Sequence, residues 1–196
     1  LSDAVRAHYQ KALDPVGAKL VCVDGNPIDA IWINQPAAPL APVVPHDLAY
    51  AGKEAEGKRK DIAKILVEVN QDAALISAPE SVAWLLNVRG GDVPYTPLAL
   101  SYAILMAAGD VRWFIDPRKL SPGLVATLGD GVSVEDIDEI GNAVSELGAQ
   151  SATVRLNRSL APAYMVAKLE QNGGVVVNDE DPCALSRACK NAVEVA

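Results

Sequence analysis

Prolines stand at positions 36, 39, 42 and 45 of this 196-residue chain, one at every third residue. Each ring locks its own φ and removes an amide donor, so neither a helix nor a central strand can run from Gln35 to Pro45. The same spacing favours an extended, polyproline-like path. The stretch reads as a linker over 35–47, and it divides the chain into a first part, 1–34, and a main domain over 48–180. The chain opens on Leu1-Ser2 with no initiator methionine. That suggests an excised piece, with Leu1 to Leu13 the tail of a preceding helix.

Ahead of the linker, Lys19 to Val23 has the apolar, β-branched character of a short strand, stopped by Asp24-Gly25. Asn26-Pro27 then caps a short helix from Ile28 to Ile33 that carries Trp32. Beyond the linker, Glu54 to Asn70 repeats Ile62, Ile65, Leu66 and Val69 at helical spacing, with Lys, Arg and Glu expected on the opposite, solvated face. Ala73 to Ser77 is a short buried strand, and Pro79 to Leu86 a helix opened by its proline. Leu98 to Leu105 and Val111 to Ile115 flank a Gly109-Asp110 turn and predict an antiparallel hairpin. Ser121-Pro122 caps another short helix. A strand over Val132 to Ile137, a helix over Ile140 to Leu147, a strand over Ala152 to Leu156, a helix over Leu160 to Glu170 and a strand over Gly174 to Val177 complete the order. A hairpin combined with helical crossovers predicts an α/β domain with a mixed sheet flanked by helices.

Half of the residues are hydrophobic but only 5% are aromatic, so the core is expected to be aliphatic. A net charge of -8 repels phosphate and argues against nucleic acid. No apolar run approaches the ~18 residues of a membrane span. No basic and apolar pair of regions marks a signal peptide. Three scattered cysteines, Cys22, Cys183 and Cys189, are expected to be reduced thiols, which suits a cytoplasmic setting.

Residues that could carry chemistry are sparse. A catalytic metal needs several His, Asp, Glu or Cys ligands converging on one cavity. The two histidines are His8, in the first helix, and His46, in the linker. The acidic runs Glu135-Asp136, Asp138-Glu139 and Asp179-Glu180-Asp181 read as loop and helix-start charges, the last ahead of a helix opening at Pro182. No serine has a GxSxG setting, and no cysteine has a histidine partner. No catalytic residue and no metal ligand is therefore assigned. The candidate contact segment is Arg89, Gly90, Gly91, Asp92 and Tyr95. Gly90-Gly91 reads as a turn needing positive φ, or as a cradle for an anion helped by Arg89. Tyr95, held between Pro94 and Pro97, is a fair contact residue for a neighbouring domain or subunit. Trp84, Trp113 and Phe114 are expected in the core.

The run Trp84-Leu85-Leu86-Asn87-Val88-Arg89-Gly90-Gly91-Asp92, followed by Tyr102-Ala103-Ile104, resembles the signature of the middle domain of Xaa-Pro aminopeptidases, which are pita-bread metallopeptidases. Asp29-Ala30-Ile31-Trp32 with Gln35-Pro36 resembles the junction between that family's first and middle domains. Asp181-Pro182-Cys183 with Lys190-Asn191 and Glu194 resembles the entry into its catalytic domain. Gly91 departs from the pattern, where the family often carries serine. The resemblance implies that 1–34 ends a first domain, that 48–180 is a creatinase/prolidase-like domain with a ribonuclease-H-like motif, and that 181–196 leads into a catalytic domain. It implies a non-catalytic role in domain packing, cleft access and homo-oligomerisation. The two divalent metals, usually manganese, belong to the catalytic domain, and no cofactor is expected within these residues. The alternative reading is a freestanding α/β module that binds a small anion or a protein, with Arg89, Gly90 and Gly91 as the anion contacts.

Overall fold

The hairpin expected around Gly109 is the centre of the structure, a computed structural model that describes residues 1–23 and 25–195. In chain order the elements are α1 (Asp3–Leu13), α2 (Pro27–Ile31), β1 (Val44–Pro45), α3 (Leu48–Ala51), α4 (Ala55–Glu68), β2 (Ala73–Ile76), α5 (Pro79–Leu86) and β3 (Val88–Arg89). There follow β4 (Tyr102–Met106), β5 (Val111–Phe114), α6 (Pro122–Thr127), β6 (Val132–Glu135), α7 (Ile140–Ala149), β7 (Thr153–Leu156), α8 (Ala163–Gln171), β8 (Val175–Asn178), α9 (Ala184–Ala188) and α10 (Ala192–Val195). Short 3-10 turns over Asp14–Val16, Pro117–Lys119 and Ile137–Glu139 link some of them.

Six strands form one mixed sheet in the order β6-β5-β4-β2-β7-β8. β4 pairs antiparallel with both β5 and β2, whereas β5–β6, β2–β7 and β7–β8 are parallel. Successive side chains alternate across the sheet. Ala74, Ile76, Ala103, Leu105 and Trp113 therefore meet α4 and α5 on one face, through Ile62, Leu66, Val82 and Leu85. Ala73, Leu75, Ile104 and Phe114 meet α7 and α8 on the other, through Val144, Leu147, Met165 and Leu169. The mixed α/β architecture with helices on both faces is as the periodicity and the resemblance implied.

Four expectations need correction. Lys19 to Val23 is not a strand: it has no ladder partner among the described residues, and Val21 and Val23 lie open. β propensity alone supplies no pairing. Asp24, one half of the expected turn at 24–25, lies outside the described residues. The linker is not free at its far end, because β1 pairs antiparallel with β3 and Val43 is buried. Proline is tolerated there because a two-residue strand is all edge. Residues 98–101 are not part of β4. Trp113 and Phe114 are fully buried as expected, but Trp84 is only half buried, at the rim of its cluster.

The helix over Glu54 to Asn70 carries a further difference. Lys58 and Arg59 are buried, although the charged residues of that helix were expected in solvent. Lys58 lies four residues before Ile62 and eight before Leu66, so the helical repeat itself turns it inward. Both helix caps read from sequence hold. The Asn26 side chain accepts from the Ile28 amide at 3.1 Å, and Ser121 Oγ from the Leu124 amide at 3.2 Å. Among the described residues no helix is long and apolar enough to cross a membrane.

Candidate interface loop and the groove beside it

After α5, the chain turns at Asn87, which holds a left-handed conformation, and pairs through β3 with the proline-rich segment. Gly90 and Gly91 then run in a conformation without positive φ. The turn reading of this glycine pair is thus replaced by a close approach. The Gly90 amide donates to the Pro97 carbonyl at 3.2 Å, and the Asp92 amide to Leu98 at 3.0 Å. A Cβ on Gly90 would lie 2.6 Å from the Ala99 backbone nitrogen, so a side chain cannot fit. At Gly91 the nearest atom would be the Ala41 methyl at 3.2 Å, a contact that a small shift relieves.

Asp92 is the anchor of the loop. Its carboxylate is completely buried and pairs with the buried Lys119 ammonium at 2.6 Å. The same group accepts from the Leu100 amide at 2.7 Å and from the Ala41 amide at 3.3 Å. One side chain therefore ties the proline-rich segment, the loop and the turn after β5 together. Lys119 was not among the candidate residues, and no local pattern marks it, because the pair spans distant parts of the chain.

The loop tip is the opposite case. Thr96 N closes a turn onto Val93 O at 3.1 Å, with Pro94 and Tyr95 between them. Tyr95 has φ 61° and its side chain is fully exposed. A bulky residue at positive φ is strained. Here the strain holds an aromatic ring out in solvent. The structure thus separates the five candidates: Gly90 and Asp92 build the loop, Gly91 lies against Ala41, Tyr95 is displayed, and Arg89 is half buried at the start of the loop. The Arg89 guanidinium donates to the Val88 carbonyl at 2.9 Å. Burial pulls its pKa below the usual arginine value, opposed by Glu194.

A groove of about 410 Å³ lies between α4, α5 and the C-terminal segment, lined by Lys53, Lys58, Trp84, Cys189, Asn191 and Glu194 among others. Lys58 Nζ donates to the Asn87 side chain at 2.6 Å and to the Trp84 carbonyl at 3.1 Å. It also lies 4.7 Å from the Trp84 ring centre. Burial, with Arg89 next in weight, lowers its pKa to about 8. His46 stacks on Tyr50 at 6.1 Å, and burial followed by the charges of Arg89 and Lys58 lowers its pKa too.

The acidic runs are held by neighbours. Glu135 pairs with Arg112 at 2.7 Å, Asp136 accepts from the Asp138 amide at 3.0 Å, and Asp179 pairs with Arg155 at 3.1 Å. Asp181 accepts from the Cys183 amide at 2.8 Å, and the following helix opens at Ala184, two residues later than expected. Cys183 is buried, which pushes its thiol pKa far up, while Cys22 and Cys189 are exposed, and all three are free. Among the described residues no three His, Cys, Asp or Glu side chains come together as a metal site.

The creatinase/prolidase N-terminal domain profile matches residues 34–194, more than half of the chain. The chain belongs to the creatinase/prolidase N-terminal domain family. Its relatives in that family include the probable Xaa-Pro aminopeptidase P of Aspergillus niger, 34% identical over 92% of this chain and 30% of the relative. That of Talaromyces stipitatus is 32% identical over 94% of this chain and 29% of the relative. Among solved structures, the X-prolyl aminopeptidase of Caenorhabditis elegans, a cytosolic enzyme with a di-nuclear active site, superposes with a TM-score of 0.88 at 26% identity. That match covers 99% of this chain and 32% of the larger one. The chain thus spans less than a third of each of these three proteins, and the resemblance read from Trp84 to Asp92 holds over nearly the whole chain.

Proposed function

We propose that this creatinase/prolidase-like domain is a non-catalytic part of an Xaa-Pro aminopeptidase, which removes an N-terminal residue preceding proline. The observation that carries the reading is the superposition of 99% of the chain on one third of an X-prolyl aminopeptidase. The residues present do not fit a di-metal centre of Asp, His and Glu ligands. His8 is exposed on α1, His46 is stacked on Tyr50, Glu135 and Asp179 are paired with arginines, and Asp136 and Asp181 are spent as caps. On this reading two divalent metals, manganese by family resemblance, sit in a catalytic region elsewhere in the same cytoplasmic, homo-oligomeric polypeptide. Residues 1–34 close a first domain, 35–47 link it, 48–180 form the middle domain and 181–196 lead to the catalytic one. The displayed Tyr95 and its loop, Arg89 to Asp92 included, support a role as the contact that packs on that region and narrows access to its cleft.

The test is a side-by-side assay of this chain and the longer polypeptide on peptides with proline in second position, with manganese and with a chelator. The longer protein is expected to show chelator-sensitive hydrolysis and the 196-residue chain none. Turnover by the chain itself would overturn the non-catalytic reading, and an inactive longer protein would remove the peptidase assignment. In the longer protein, Tyr95→Ala is expected to alter KM several-fold with little change in stability, because the exposed ring packs on nothing in this domain.

A further inference from the structure

Two cations near the groove lack the partner that their burial calls for. Lys58 is 4% exposed and Arg89 is half buried. Their hydrogen bonds go to neutral oxygens, those of Trp84 and Asn87 for Lys58 and that of Val88 for Arg89. Among the described residues neither makes an ion pair within 4.0 Å. A desolvated cation held only by neutral acceptors leaves a field that favours a carboxylate close by.

One carboxylate is positioned to supply it. Glu194 lines the same groove as Lys58 and is the acidic neighbour whose charge acts on Lys58, Arg89 and His46 alike. It belongs to α10, which begins with a reciprocal cap. Asn191 Oδ1 accepts from the amides of Val193 at 2.9 Å and Glu194 at 3.1 Å, and Glu194 Oε2 accepts from the Asn191 amide at 2.9 Å. The Asn191 side-chain amide in turn donates to the Ala51 carbonyl at the end of α3, at 2.9 Å. Gly52 makes room for it: a Cβ there would meet the Asn191 side chain at 2.4 Å. The other charges around Lys58 are Lys53, which pairs with Asp61, the exposed Lys190 across the groove, and the stacked His46.

We propose that Lys58 and Arg89 form a carboxylate receptor that holds α10 against the α3–α4 corner through Glu194. The cap supplies the hydrogen bonds that start the helix, and the cation pair supplies the attraction that keeps it docked. The latch stands apart from the aminopeptidase reading, since every group in it belongs to this chain. Its readout is a conformational one, so its failure and that of the peptidase assignment are separate events.

The test uses the intact 196-residue chain and backbone NMR relaxation. Glu194→Gln removes the charge but keeps the cap, because glutamine serves equally as the reciprocal acceptor. Order parameters for residues 191–195 are expected to fall from roughly 0.8 in the parent chain to below about 0.6 in this variant. Lys58→Met and Arg89→Met are each expected to reproduce the loosening, and raised NaCl to mimic it in the parent chain only. The Trp84 indole resonance is expected to titrate with Lys58 near pH 8. Its midpoint should move to lower pH in Glu194→Gln, because a lost negative charge disfavours the ammonium. Unchanged order parameters in Glu194→Gln would overturn the latch. So would loosening by Glu194→Gln that neither receptor variant reproduces. Should Lys58→Met fail to fold, Arg89→Met and the indole midpoint decide.

Discussion

Asp92 shows how one residue can organise several segments. Its carboxylate, the Lys119 ammonium and two backbone amides form a closed polar set with no exposed carboxylate oxygen. A buried pair contributes little compared with an apolar replacement, but removing one partner strands the other charge. Asp92→Ala is expected to destabilise the chain by about 3–5 kcal/mol, measured by urea unfolding. The double variant Asp92→Ala with Lys119→Met is expected to recover part of that loss, since no charge is left unpaired. Equal stability of the single variant and the parent would mean that the pair is solvated in solution. The residue was legible in sequence as part of a motif, but its role was not. Its partners lie 27 and 51 positions away, which no local window contains.

At the scale of the element, α1 shows how a helix with little apolar burial is still held. Its one buried residue is Asp3. The Asp3 carboxylate pairs with Arg158, and with Arg6 at 2.8 Å, while Arg158 also reaches Glu170 of α8 at 2.5 Å. Burial works to raise the Asp3 pKa, but the hydrogen bonds and charges of Arg158 and Arg6 outweigh it and hold the group below its ordinary 3.8. A depressed carboxylate pKa contributes stability that is present above 3.8 and lost as pH falls through the folded value. Docking of α1 is therefore expected to be complete at neutral pH and to fail in acid, below about pH 4. Asp3→Asn should remove that dependence and speed amide exchange in α1 roughly tenfold at pH 7. Exchange that is equally slow in both proteins would show that the ion pairs do not hold the helix.

For the whole molecule, the two apolar layers share the same six strands, and the first buried apolar residue in the chain is Val43. Leu20, Val21, Val23, Ile28, Ile31, Trp32 and Ile33 are all at least a third exposed. A chain starting at Gln35 is accordingly expected to keep the sheet and a cooperative thermal transition. Its midpoint should fall by about 5 °C or less, the share lost with α1. Circular dichroism melting checks this, and a broad, non-cooperative transition would show that residues 1–34 are integral to the fold.

Local chemistry carried most of the secondary structure. The Ile62–Leu66 repeat, the prolines opening α2 and α5, the Asn26 and Ser121 caps and the Gly109 hairpin depend on neighbours within a few residues, so the sequence alone determined them. The unbroken apolar run from Ala73 to Ile76, read as a buried strand, likewise agrees with a sheet covered on both faces. Tertiary structure decided the rest, for reasons of distance and packing. It left Lys19 to Val23 unpaired, because a strand exists only with a neighbour. It drew the end of the proline-rich stretch into a ladder with Val88 and Arg89. It gave Gly90 a packing role against Ala99 in place of a turn role. It also buried the side chains of Lys58, Asp92 and Lys119 and half buried Arg89, and their charges became meaningful only once the fold set which of them meet and which lack a partner.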